Sequence, residues 1–324
     1  MKVVNEVERM ETMKTDLKID VIIPTYKPGD KLEELLRRLL QQSVLPNRVI
    51  LMNTEEELWD ARRFESLFDG SEVGLTVQHL SREAFDHGGT RHRGILLSDA
   101  DICICMTHDC VPYDRKLIDE LVKALLSSER TAVAYARQLP AADCSPAERY
   151  TRKFNYPEES RLKGKEDLEE LGIKTYFCSN VCAAYRRERY LELGGFLRKT
   201  IFNEDMIFAG GAVQNGYQIA YAAEAKVIHS HNYSAMEQLH RNFDLAVSQA
   251  DHPEIFEGLR SEGEGIRLVK QTALWLLGTG RVFLIPDLVI KSGFKYLGYL
   301  LGKNYKRLPR PAVLWLTMNR AYWE

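Results

Sequence analysis

The chain has 324 residues, 45% of them apolar, enough to fill the core of one large domain or of a domain with an appendage. Its 44 lysines and arginines against 46 aspartates and glutamates leave a formal charge of −2, which excludes a globally basic nucleic-acid binder and an acidic disordered chain. Whatever is bound is bound locally.

Met1 to Lys18 form a charged N-terminal arm without the apolar core of a signal peptide, so a cytoplasmic location is expected. Ile19 to Pro24 is a continuous apolar run closed by proline, the pattern of a buried parallel strand. A helix follows with Asp30 as its cap, Leu32, Leu35, Leu36, Leu39 and Leu40 at helical spacing, and Ser43 and Pro46 closing it. Val49 to Met52 is the next strand, which completes a βαβ unit. Leu75 to Leu80 reads as a third strand, Thr90 to Leu97 as a short helix and Asp101 to Met106 as a fourth, buried strand. Tyr113 to Ser128 predicts a helix with Leu117, Leu121, Val122 and Leu125 inward, and Thr131 to Ala136 a further strand.

Between Pro140 and Gly172 the pattern dissolves into charge, which reads as a mobile surface excursion. Glu204 to Asn215 predicts a helix ended by Gly216, followed by strand-like Gln218 to Ala222 and Lys226 to His229. From Ala235 helical patterns dominate. The reading is thus an α/β body over 19–235 and a helical module over 236–324. The longest uncharged run, Met206 to Ala223, contains three glycines, two glutamines and an asparagine, so it is no spanning helix.

Arg281 to Glu324 carries eight basic residues against two acidic ones, interleaved with aromatics. This basic end suits either an anionic membrane surface, a dimer interface, or a helical appendage with solvated charges. The six cysteines form no paired CxxC knuckles and read as buried reduced thiols.

In an open parallel sheet, ligands sit at the carboxyl ends of the strands. Four ends carry polar residues: Pro24, Thr25 and Tyr26; Asn53 to Glu55; the segment Phe85 to Gly94; and Thr107 to Asp109. Asp109, beside His108 and after a buried strand, suits a divalent cation, magnesium or manganese, or simply a turn. Asp86, Gly89 and Arg91 open a helix where backbone N–H groups and a guanidinium would favour an anion, although paired glycines also serve plain turns. Glu204 and Asp205 at a helix start satisfy the helix dipole, or supply the general base that a sugar hydroxyl needs. His229 and His231 alternate onto one face, where an imidazole could complete a metal site begun by Asp109.

Together the segments IDVIIPTYKPGDKLEELL, FDHGGTRHRG, MTHDCVP, FCSNVCAAYRRERYLELGGF, NED and NGYQIAYAAEAKVIHSH resemble, in order and spacing, glycosyltransferase family 2, the inverting GT-A type. The likeness runs from Lys18 to Ser234 and is greatest to bacterial rhamnosyltransferase-type members. The resemblance implies a GT-A α/β fold with a mostly parallel sheet and a C-terminal helical module. It implies that Pro24, Thr25, Tyr26, Asn53, Glu55, Asp86, Gly89, Arg91, His108 and Asp109 surround a dTDP- or UDP-linked sugar donor. Asp205 would be the base, with Glu204, Ser179 and Asn180 at a saccharide or polyprenol-linked acceptor. Asp109 would bind the metal, with His229 as first and His231 as second further ligand. Thr107 stands where many members have the first acid of DxD, so metal dependence is in question. The implied reaction moves L-rhamnose from dTDP-β-L-rhamnose with inversion; the alternatives are a UDP-hexose donor or a non-catalytic nucleotide-sugar-binding scaffold.

Overall fold

The computed structural model describes residues 17–259 and 262–323, so the expected arm lies almost wholly outside the described residues. The body runs β1 (Ile19–Tyr26), α1 (Asp30–Leu39), β2 (Arg48–Thr54), β3 (Gly74–Leu80), α2 (His87–Leu97), β4 (Ile102–Met106), β5 (Val111–Pro112) and α3 (Leu117–Leu126). It continues with β6 (Thr131–Leu139), α4 (Pro146–Asn155), β7 (Arg161–Lys163), β8 (Cys182–Arg186), α5 (Arg187–Glu192), α6 (Glu204–Gln214) and β9 (Gln218–Ile228). The strand order is β3-β2-β1-β4-β8-β6-β9-β5, with β7 also on β9. β1 is parallel to both β2 and β4, β2 is parallel to β3, and β6 is parallel to β9, while β8 runs antiparallel between β4 and β6.

The apolar runs explain this sheet. β1 is buried from Ile19 to Thr25 because neighbours flank it on both edges and helices cover both faces. On one face Leu32, Leu36 and Leu39 of α1 meet Leu121 and Leu125 of α3; on the other, Ile95 joins Ile22, Tyr185, Tyr190 and Phe208. Gly94 lets α2 lie directly on β1, since a Cβ there would meet Ile22 Cγ2 at 2.5 Å. All six cysteines are buried and unpaired.

From Ser234 the chain turns helical through a capping box in which Glu237 N–H donates to the Ser234 hydroxyl and Ser234 N–H to the Glu237 carboxylate. α7 (Ala235–Asp251), α8 (Glu262–Gly278), α9 (Ile285–Lys303) and α10 (Arg310–Leu316) follow. Gly298 and Gly302 bring α9 against α7, where added methyl groups would meet Leu239 O at 2.1 Å and Phe243 O at 2.3 Å. Leu239, Phe243 and Val247 share a small core with Ile201, Val313 and Leu316, so the helices close over the loop that precedes α6.

Several elements differ from the sequence expectation. Pro140 to Gly172 is built, not an excursion: Ser145 caps α4, and β7 joins the sheet. Its anchor is polar and so left no periodicity: the buried Lys163 ammonium donates to Lys174 O (2.9 Å), Phe177 O (2.6 Å) and the Tyr135 hydroxyl (3.2 Å). Gly29, not Asp30, is the cap of α1. α2 starts three residues before Thr90, because Asp86 caps it. α3 begins at Leu117, since Val111 and Pro112 pair with β9. The two strand patterns after Gly216 are one strand, with a register shift opposite Ala136 and Arg137.

Candidate active site

Strand order reverses at β1: the chain steps outward to β2 and β3 and returns on the other side as β4. The crevice of such a sheet opens where β1 and β4 end, at Thr25 and Tyr26 on one side and Thr107 to Asp109 on the other. Thr25 is buried and donates through Oγ1 to Asn53 Oδ1 (3.2 Å). Asn53 Nδ2 in turn meets Glu55 O (3.2 Å) and His79 Nδ1 (3.0 Å), and Glu55 holds a left-handed φ of 65°. Pro24 is buried within β1, whereas Tyr26 is half-buried with Lys27 Nζ 5.2 Å from its ring centre.

Beside this crevice three ligand-type side chains converge. Asp109 Oδ2 lies 3.6 Å from His229 Nε2 and 3.3 Å from His231 Nε2, and the two imidazole nitrogens are 3.0 Å apart. The protonation of His229 follows from its neighbours. Arg152 donates to Gln138 Oε1, so that atom must be the amide oxygen, and Gln138 Nε2 donates to Ser179 Oγ (3.0 Å). His229 Nδ1, 3.0 Å from the same oxygen, can therefore only donate. Burial holds the His229 pKa down and favours the neutral ring. Its Nε2 then turns a lone pair towards a carboxylate. A cation between them would resolve that conflict, and a carboxylate with two imidazoles, one of them fixed from behind by Gln138, is a donor set for a divalent transition-type ion such as manganese.

A second cluster sits where α6 begins. Asn203 caps it in the left-handed region (φ 64°), a conformation asparagine tolerates, and presents Glu204 and Asp205 side by side. Asn180 holds both: its N–H donates to Asp205 Oδ2 (2.8 Å), and its Nδ2 donates to Glu204 Oε1 (3.1 Å). Tyr185 fixes Asn180 by donating to its Oδ1 (2.7 Å). Arg91 Nη1 lies 3.1 Å from Glu204 Oε1, and both side chains are buried. Burial opposes the Glu204 charge, yet Arg91, His87 and Asn180 lower its pKa. Burial, then the Glu204 charge, push Asp205 up to about 7. Two adjacent carboxylates thus differ in proton affinity: one is a fixed anion and the other exchanges a proton near neutrality.

The structure therefore joins Asp109, His229 and His231 in one cluster, and Glu204, Asp205 and Asn180 in another, with Ser179 linked to Gln138. His108 is half-buried in the turn beside Asp109. Three residues expected at the donor have partners inside the protein. Asp86 accepts from Gly89 N (2.7 Å) and Thr200 N (3.0 Å), so it is a cap tying α2 to the loop at Thr200. Gly89 serves that packing, since a Cβ would meet Arg198 O at 2.7 Å. Arg91 is 5% exposed and faces Glu204, not an open phosphate site. The sequence reading missed Gln138, Arg152, Tyr185 and Thr200. Gln138 alone carried a signal, a polar residue at the end of an apolar strand.

The sequence profile of the family described as Glycosyl transferase family 2 matches residues 20–194, more than half of the chain. An O-antigen chain rhamnosyltransferase, RfbN of Salmonella typhimurium, is 38% identical over 313 residues, which cover 95% of this chain and 96% of that protein. Another, WbaN of Salmonella anatum, is 35% identical and covers 94% and 95%. The chain belongs to glycosyltransferase family 2. It is a glycosyltransferase, and solved structures agree on the GT-A fold. A mannosyltransferase, PcManGT from Pyrobaculum calidifontis in complex with GDP-Man and Mn2+, superposes with a TM-score of 0.56 at 17% identity over 94% of this chain and 84% of that one. S. aureus TarS 1-349 in complex with UDP-GlcNAc gives 0.52 at 15% identity over 90% and 92%.

Proposed function

We propose that this transferase moves L-rhamnose from dTDP-β-L-rhamnose to a saccharide carried on a polyprenol-linked lipid, in cell-surface polysaccharide synthesis at the cytoplasmic face of a membrane. The observation that carries the donor assignment is the 38% identity to a rhamnosyltransferase along nearly the whole length of both chains. The unit responsible is residues 19–235, with Pro24, Thr25, Tyr26, Asn53, Glu55 and His108 around the nucleotide. An open groove of about 610 Å³ between α4 and α8, lined by Tyr150, Lys153, Phe154, Gln271, Leu274 and Trp275, supports a saccharide acceptor. Its tilted Tyr150 and Trp275 rings, 5.5 Å apart, offer sugar-stacking surface, and the amide and ammonium offer hydrogen bonds.

In the proposed reaction the Asp205 carboxylate takes the proton of an acceptor hydroxyl. The freed oxygen attacks the anomeric carbon from the face opposite the nucleotide, the bond from that carbon to the phosphate oxygen breaks, and dTDP leaves with the bonding pair. The product is the inverted α-rhamnoside. Asn180 aims Asp205, while Glu204, held by Arg91, raises the Asp205 pKa so that it is a competent base near neutral pH. A divalent cation held by Asp109, His229 and His231 would neutralise charge on the departing diphosphate. Thr107 supplies no second carboxylate; its Oγ1 is buried without a hydrogen-bond partner among the described residues.

The test is transfer and hydrolysis with dTDP-rhamnose, UDP-glucose, UDP-galactose, UDP-N-acetylglucosamine and GDP-mannose, each with manganese, magnesium or EDTA. Turnover confined to dTDP-rhamnose and lost in EDTA is expected. Preference for a uridine donor would replace the donor assignment, and full activity in EDTA would remove the cation from the reading.

A further inference from the structure

The hairpin made by α8 and α9 carries an apolar surface with no partner among the described residues. Among the described residues, more than half of the exposed large apolar side chains fall between Ile266 and Met318. On α9 the glycine side, Gly298 and Gly302, is pressed on α7, and the opposite stripe of Val289, Gly293, Tyr296 and Leu300 faces outward. On α8, Leu274 and Leu277 continue the surface, and the joining turn ends it with Val282 and Phe283, 56% and 72% exposed. A contiguous apolar surface of this kind marks an interaction site.

Charge decides what covers it. From Glu262 to Lys303 there are six cations, Arg267, Lys270, Arg281, Lys291, Lys295 and Lys303, against three anions, Glu262, Glu264 and Asp287. A second copy, related by a two-fold axis, would set this cationic hairpin against itself, so like charges would oppose the apolar contact. An anionic surface is complementary to it. No helix among the described residues is long and apolar enough to cross a membrane. The hairpin has instead the make-up of a helix pair lying in an interface, with apolar side chains below and long cationic ones reaching back to head groups.

We propose that the α8–α9 hairpin docks this transferase on an anionic lipid surface, with Val282 and Phe283 at the point of insertion. This deepens the reading of a lipid-linked acceptor. Leu274 belongs both to the docking surface and to the groove between α4 and α8, so the groove opens at the lipid side. The other wall of that groove is α4, with Tyr150, Lys153 and Phe154, the helix whose Arg152 holds Gln138 behind His229. Docking thus sets the candidate active site beside the membrane.

The test floats the full chain with phosphatidylcholine vesicles containing about 30% phosphatidylglycerol, at low and high salt. The wild type is expected to float, less so at high salt. The double variant Val282→Asp/Phe283→Asp should lose at least about tenfold in partitioning with an unchanged circular dichroism spectrum, because both positions are solvent-exposed. Phe283→Cys labelled with an environment-sensitive dye, selectively because the native cysteines are buried, should shift to the blue on vesicles. Failure of the wild type to float, or equal flotation of the double variant, overturns the proposal. So does a wild-type dimer that the double variant dissociates, since a second copy would then be the occupant. Transfer from dTDP-rhamnose to a water-soluble saccharide, assayed on both proteins without vesicles, reports the donor reading separately.

Discussion

Replacing Asp205 by asparagine removes a proton acceptor while nearly preserving shape. The wild-type carboxylate receives one backbone N–H on each oxygen, from Asn180 and Met206, both at 2.8 Å, and keeps lone pairs for an acceptor hydroxyl. In Asp205→Asn one of those N–H groups must face the amide NH2, a donor against a donor, at a cost of about 1–3 kcal/mol of stability. Removing the repulsion from Glu204 offsets part of it, so the fold persists. Loss of a general base costs roughly 10²–10⁴ in rate, or about 3–5.5 kcal/mol of barrier. The pH profile separates this from mere misplacement. With a pKa of about 7, Asp205 becomes competent only as pH rises through neutrality, so wild-type kcat/KM should climb there, and the variant should lose that limb. Stability moves the other way. The folded pKa is raised from the ordinary 3.8, so the native state keeps a proton that the unfolded chain releases; this contribution is full below pH 3.8 and lost as pH rises through about 7. Rates under saturating donor and urea melts between pH 5 and pH 8, about the span of the titration, measure both. A variant with near wild-type rate and an intact acid limb would refute the assignment and move the base elsewhere.

Arg91→Ala should destabilise the protein by about 3–5 kcal/mol in urea melts, because it strands the Glu204 carboxylate in a buried site. Gly88→Ala should cost about 1–3 kcal/mol, since its methyl group would lie 2.3 Å from Leu197 O. Gly211→Ala, in α6 with open space around it, should instead stabilise by about 0.4–1 kcal/mol. Gln138→Leu should weaken manganese binding roughly 10–100-fold by calorimetry, because His229 loses the partner that fixes its tautomer. Lys163 is pushed down to about 7 by burial, so the unfolded chain binds the extra proton between about pH 7 and 10.5 and stability from this group rises with pH over that window. Lys163→Met should flatten that rise, as followed by thermal melts across the same range.

What the sequence displayed depended on how each residue is held. Strands β1, β2 and β4 are buried runs with neighbours on both edges, so hydrophobicity alone marks them. The polar ends of β1 and β4 were legible because the switch point of a parallel sheet is a topological consequence, not a property of one side chain. Asp109, His229 and His231 do meet as the sequence suggested, although both histidines stand past the end of β9 at Ile228 and strand alternation is not what joins them. By contrast β7 and α4 depend on Lys163 and on capping by Ser145, polar anchors that leave no period to detect.

Arg91 shows what residue type alone leaves open. An arginine at a helix start suits a phosphate and a carboxylate equally well, and the residue type cannot say which it meets. The choice is made by packing across more than a hundred positions of chain. Gly88 has no side chain, so the start of α2 approaches Leu197 O and the Glu204 Cβ, the two sites where an added methyl group would lie 2.3 and 3.3 Å away. That contact delivers Glu204 to the guanidinium, and Asp86 secures it by binding Thr200 N. The glycine pair that looked like an anion-binding turn is therefore the device that couples the start of α2 to the acid pair. Asp205 is raised towards neutrality by burial and by the fixed charge of Glu204 beside it, and Glu204 stays charged because the close approach of α2 brings it Arg91.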